Sequence, residues 1–180
     1  MNAMNTAFIE DAGISGLVGV RAIVYFAGRF YSPVYGHCEW TQGKQTASCA
    51  IGCATVPSDR HQGCGFHAHW EVDESKRFVE QIRGTADCLV LVECFGRVVV
   101  HEKGFRAEQA RIVGVLDWDP RFTFFTYPLA TAHTQPSVPN TAAKYFGVPL
   151  LDEYSATHAI QSQKMRCLAG EDLAAMPRAI

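Results

Sequence analysis

Along residues 17–26, Val18, Val20, Ala22, Val24 and Phe26 alternate with Gly19, Arg21, Ile23 and Tyr25. A two-residue period that is largely apolar on both sides predicts a strand with both faces covered. From Ser32-Pro33 to Gly63 the pattern breaks up into turn residues, with few side chains suited to a core. Residues 64–70, rich in aromatics and histidine, read as a second strand. Asp73 is placed to cap a helix reaching about Arg83, with Phe78, Val79 and Ile82 on its inner face and Gly84 at its end.

Residues 87–95 form a strongly apolar strand, and residues 97–102 resume it after Gly96, which marks either a bulge or a sharp bend. Glu102-Lys103-Gly104 has the residue types of a three-residue hairpin loop with glycine left-handed, so residues 105–116 should return antiparallel. Trp118-Asp119-Pro120 stops that strand. The aromatics Phe122, Phe124, Phe125 and Tyr127 follow; they suit a stacking platform or, more simply, a peripheral strand. Asn140 can cap a short helix over residues 141–146 that Gly147 would end, and residues 153–169 have helical character, with His158, Ile160, Met165 and Leu168 as candidate inward positions. This order predicts an α+β fold: a curved mixed or antiparallel sheet, closing toward a small pseudo-barrel, with flanking helices. Residues 14–150 are expected to form one domain, and residues 151–180 a helical arm packed on it or on a second copy.

With 180 residues, 48% of them hydrophobic and 19% charged, the chain can bury a core and is not mainly disordered. A net charge of −2 gives no global pull toward nucleic acid or anionic membrane. The first residues carry Glu10 and Asp11 and lack the pattern of a secretory signal, and the apolar run of residues 14–28 is broken by Arg21. The expectation is therefore a cytoplasmic protein with no membrane partner. There, seven cysteines are more naturally thiols or metal ligands than a disulfide framework.

Three stretches resemble a group of small bacterial proteins of uncharacterised role: Cys64-Gly65-Phe66-His67-Ala68 before a helix, the run from Gly96-Arg97-Val98-Val99 through His101-Glu102 to Glu108, and Tyr145-Phe146-Gly147-Val148-Pro149. In that group the first motif usually reads Cys-Gly-Ile-Tyr-Ala, so His67 departs from it. The resemblance implies one compact α+β domain and brings no reaction with it.

Chemistry concentrates in Cys38, Cys49, Cys53, His61, Cys64, His67 and His69. Zinc favours thiolate and imidazole donors, and a loop without its own core gains most from such a clip. Cys49-x3-Cys53 and His61-x2-Cys64 could present two ligand pairs to one ion, although the spacing matches no standard finger. The plainer reading is buried thiols and ordinary surface histidines. On the hairpin, Arg97, His101 and Arg106 could face a phosphate, a carboxylate or a nucleobase, or could belong to a solvated face of mixed charge. Two functions follow. One is a non-catalytic module binding a small molecule, nucleic acid or protein, with a structural zinc and with a homodimeric state left open. The other is a cysteine- or metal-dependent enzyme using Cys64 with His67 or His101. No phosphate-binding glycine loop, zinc-protease helix motif or serine nucleophile elbow is present.

Overall fold

A computed structural model describes residues 5–9, 16–33, 38–58, 63–82, 86–118 and 137–168, the first and last five of these by backbone only. His61, the aromatic run 121–127, and the side chains of Met165 and Leu168 lie outside the described residues.

The centre of the fold is the hairpin of β7 (Cys88–His101) and β8 (Gly104–Leu116). One edge of β7 is taken by β1 (Asn5–Ile9) along residues 96–100 and by β2 (Leu17–Phe26) along residues 88–94. The free edge of β8 takes, in turn, β6 (Phe66–His69), the two-residue β5 (Gln45–Thr46) and the two-residue β9 (Leu150–Leu151). Among the described residues only β9 runs parallel, so their nine-stranded sheet is mixed. A single bridge from Val20 to His69 joins β2 to β6. The hydrogen bonds thus close a ring β2–β7–β8–β6 without making a true barrel. This is the curved α+β sheet that the residue pattern predicts.

β2 turns through Ala27 and Gly28, both with positive φ, into β3 (Arg29–Tyr31), which pairs with β4 (Glu39–Trp40). Two left-handed residues are what a two-residue hairpin loop needs to match strand twist. Gly96 proves to be a bulge within one continuous strand rather than a bend: its φ is 71°, and the Glu108 carboxylate accepts from Arg97 N–H at 3.1 Å.

The loop at the hairpin tip differs from expectation. His101 pairs directly with Gly104, so only Glu102 and Lys103 lie in the turn, and Gly104 belongs to the strand. Its glycine is needed for close approach instead: a Cβ there would stand 2.1 Å from the Ala68 carbonyl oxygen of β6. Nor is the hairpin a solvated face, since Val98, Val99, Phe105 and Ala107 are all buried.

Helix α1 (Val72–Gln81) begins at Glu71, which makes no side-chain cap, so Asp73 sits inside the first turn rather than capping it. Helix α2 (Val138–Phe146) starts three residues earlier than predicted. Ser137, not Asn140, is its cap, accepting from Asn140 N–H at 3.3 Å, while Gly147 ends it left-handed as expected. Helix α3 (Glu153–Leu168) packs on β2 and α1. Its Ala156 and Ile160 are fully buried in the same apolar cluster as Val20, Leu91 and Val115, whereas His158 is exposed. Trp40, from the stretch that promised little core, is also buried there. Among the described residues no helix is long and apolar enough to cross a membrane.

Candidate metal centre and an adjoining histidine pocket

The segment from Ala47 to Gly65 is anchored at both ends to β8. Ala47 N–H donates to the Glu108 carbonyl at 2.8 Å, and β6 begins pairing at Phe66 opposite Ala107. Between the anchors the described residues form no strand or helix. Gly52 N–H closes a tight turn on the Cys49 carbonyl at 3.0 Å. Gly65, at φ 97°, runs so close to β8 that a Cβ would lie 3.1 Å from the Ala107 carbonyl oxygen.

These constraints bring the sulfurs of Cys49, Cys53 and Cys64 within 4.8 Å of one another. Three thiolates on one tetrahedral zinc, at ~2.3 Å each, stand about 3.8 Å apart, so the trio needs only slight closure to hold an ion. Cys64 is buried, and Ser58 N–H donates to its sulfur at 3.0 Å. A backbone donor of this kind stabilises a metal-bound thiolate and orients it. Burial nonetheless pushes the Cys64 thiol above its ordinary value; the Ser58 donor opposes the shift, and Cys49 and Cys53 reinforce it. An ion entering here displaces a proton from the Cys64 thiol rather than meeting a ready thiolate there.

Among the described residues no histidine joins the three sulfurs. Cys38 instead lines a neighbouring cleft of about 400 Å³ with Arg21, Gln45, Cys49, Gly65 and Phe66. Arg21 spans the space beneath it: it donates to the His67 carbonyl at 2.7 Å and Ser32 Oγ at 2.9 Å, and its guanidinium stacks over Trp40 at 5.3 Å. Burial lowers its pKa to about 10, which still leaves it charged at neutral pH. Cys88 and Cys94 are sealed in the apolar core, and burial pushes the Cys94 thiol upward. None of the six described cysteines is in a disulfide.

His67 and His69 turn away from the sulfur cluster to a second place. With His101, Lys103 and Arg106 they line a depression of about 220 Å³. Arg106 is 2% exposed and joins the two regions. Its Nη1 donates to the carbonyls of Ser58 and Cys64, both at 3.4 Å, and its Nε–H donates to His101 Nε2 at 3.2 Å. Of the three hairpin residues singled out from sequence, His101 and Arg106 are therefore in direct contact. Arg97 stands farther along β7 at the bulge, opposite β1.

The histidines are held neutral. His67 presents exposed surface yet is crowded by protein, and desolvation, followed by the charges of Arg21 and Arg106, lowers its pKa to about 3. Desolvation also lowers His69 and His101, with Arg106 adding to the effect at His101. Arg21, Ser58 and Ser75 were not singled out from sequence. The pairing of His67 with His69 was legible, because residues i and i+2 of a strand share a face.

No family model matches the chain, and neither a curated protein nor a solved structure matches it.

Proposed function

We propose that the protein is a non-catalytic binding module in which zinc clips the loop between Ala47 and Gly65. Cys49, Cys53 and Cys64 would supply three ligands, with His61 proposed as the fourth, and the face carrying His101 and Arg106 would receive a small ligand. The observation that carries this reading is the convergence of three sulfurs within 4.8 Å in a segment that has almost no hydrocarbon of its own to bury. Ser58 N–H on the Cys64 sulfur supports it, since such donors accompany bound thiolates. Arg106 gives the clip a purpose, because the same guanidinium holds the loop carbonyls and the His101 ring.

The competing nucleophile reading meets an obstacle at Cys64. Its thiol is 3% exposed and its pKa is raised by burial, whereas attacking thiols are accessible and acidified.

The test is zinc titration of the reduced, chelator-stripped chain with thiol counting and melting curves. Uptake of one zinc, with three thiols becoming protected and the melting temperature rising, is the expected result. Absence of uptake, with thiol reactivity and melting both unchanged by zinc, would remove the metal from the account.

A further inference from the structure

The depression around Gly104 has the construction of a ligand site. In the ladder, His67 lies opposite Arg106, and Arg106 opposite Val99; His69 lies opposite Gly104, and Gly104 opposite His101. Residues directly across an antiparallel ladder project to the same face, so His67, His69, His101 and Arg106 surround a position that has no side chain. The hydrogen bonds assign the ring protons. Ser75 Oγ donates to the Val20 carbonyl at 3.2 Å, so His69 Nδ1–H must be the donor in its 2.8 Å contact with Ser75, leaving Nε2 able to take a proton. At His101, Nε2 accepts from Arg106, which places the ring proton on Nδ1.

The surrounding charge is positive. Arg21 lies behind His67 from β2, Arg106 lies between the strands, and Lys103 stands at the turn. From α1, Glu74 answers Lys103 at 3.3 Å but is shared with Arg77 at 2.8 Å; Glu102 and Glu71 are exposed at the turn and at the helix start. A planar carboxylate is best met by the free fork of an arginine, and the Arg106 fork is already engaged by two carbonyls and an imidazole. What is left for a ligand is the His101 Nδ1–H, a His69 Nε2 that becomes a donor once it takes up a proton, and an ammonium, spread around a small bowl.

We propose that this bowl binds a small tetrahedral oxyanion, either free phosphate or the phosphate of a small phosphoester, through His67, His69, His101 and Lys103 over the fixed charge of Arg106. The inference rests on the binding-module reading for its ligand face, and it does not require the zinc. Since the empty bowl keeps its imidazoles neutral, the anion supplies the missing countercharge, and binding takes up a proton onto an imidazole nitrogen.

The test titrates inorganic phosphate, sulfate and glycerol phosphate into the full-length chain, followed by imidazole NMR and calorimetry. Saturable shifts at His67, His69 and His101 are expected. Sulfate, which stays doubly charged, should bind more tightly as pH falls from about 7.5 to about 5.5. His67→Gln, at an exposed position, should weaken binding about tenfold, the scale of a lost charge-assisted hydrogen bond, with melting and zinc content unchanged. Tighter binding of glycerol phosphate than of phosphate identifies an ester as the ligand; the reverse order identifies the free ion. No saturable shift at about 10 mM anion, or wild-type affinity in both His67→Gln and His101→Gln, would overturn the proposal. Anion binding without zinc uptake would discard the clip alone, and zinc uptake without anion binding would discard this inference alone.

Discussion

The β7–β8 hairpin and the cysteine loop lie side by side and are held by opposite means. The hairpin buries Val98, Val99, Phe105 and Ala107 and packs the Phe105 ring, tilted, against Trp70 at 4.6 Å between centroids. The loop turns Ile51 outward, 74% exposed, and leaves Cys49 and Cys53 half-buried. Hydrocarbon removed from water stabilises the first without reference to any one contact. The second depends on a few directed bonds, the Ser58 donor to Cys64 and the two Arg106 donors, and on Gly65, which lets the chain approach β8. The cysteines divide along the same line, with Cys88 and Cys94 packed as small apolar side chains and Cys49, Cys53 and Cys64 grouped as donors. A residue type acquires its chemistry from what its segment lacks.

The strongest way to break this contrast is in the hairpin. Phe105→Ala should cost about 3–5 kcal/mol in denaturant unfolding, since it opens a cavity under Trp70. Next comes the loop: Cys64→Ser should cost about 2–4 kcal/mol in zinc-containing buffer and abolish metal retention, and most of that difference should vanish when zinc is withheld. Cys94→Ser should instead cost about 1–3 kcal/mol with or without zinc, because it buries a hydroxyl in hydrocarbon and leaves the loop intact.

Acid sharpens the comparison further. His67 has a folded pKa of about 3 against an ordinary 6.5, so the unfolded chain binds more protons between those values. Its contribution to stability is complete above about pH 6.5 and is lost as pH falls toward about 3. Denaturant midpoints should fall over that window, less steeply in His67→Gln, and sulfate should restore part of the loss. The smallest effect is at the surface. Lys76 reaches Glu153 at 2.7 Å and ties α1 to α3, and Lys76→Ala should change stability by about 0–1 kcal/mol.

Much of the frame was legible in residue order because it rests on local periodicity: β2 spans the predicted residues, Gly96 is a bulge, and Gly147 ends α2. What escaped depends on partners distant in sequence. β1 reads as a polar start, yet it pairs with β7 residues 96–100. Gly104 has the composition of a left-handed turn residue, but its role is set by the Ala68 carbonyl of another strand. In the site, residue type singled out Cys49, Cys53 and Cys64, since thiols without a core nearby invite a metal. Their separation from His67 and His69 was not legible as a whole, because it follows from the path of an irregular loop around Arg106.

The most direct test is X-ray absorption at the zinc edge of the purified, reduced protein. The account predicts stoichiometric zinc with three sulfur scatterers at ~2.3 Å, lost with the metal in Cys64→Ser and unaltered by Cys94→Ser. Zinc coordinated only by oxygen and nitrogen, or a sulfur signal indifferent to Cys64, would contradict it.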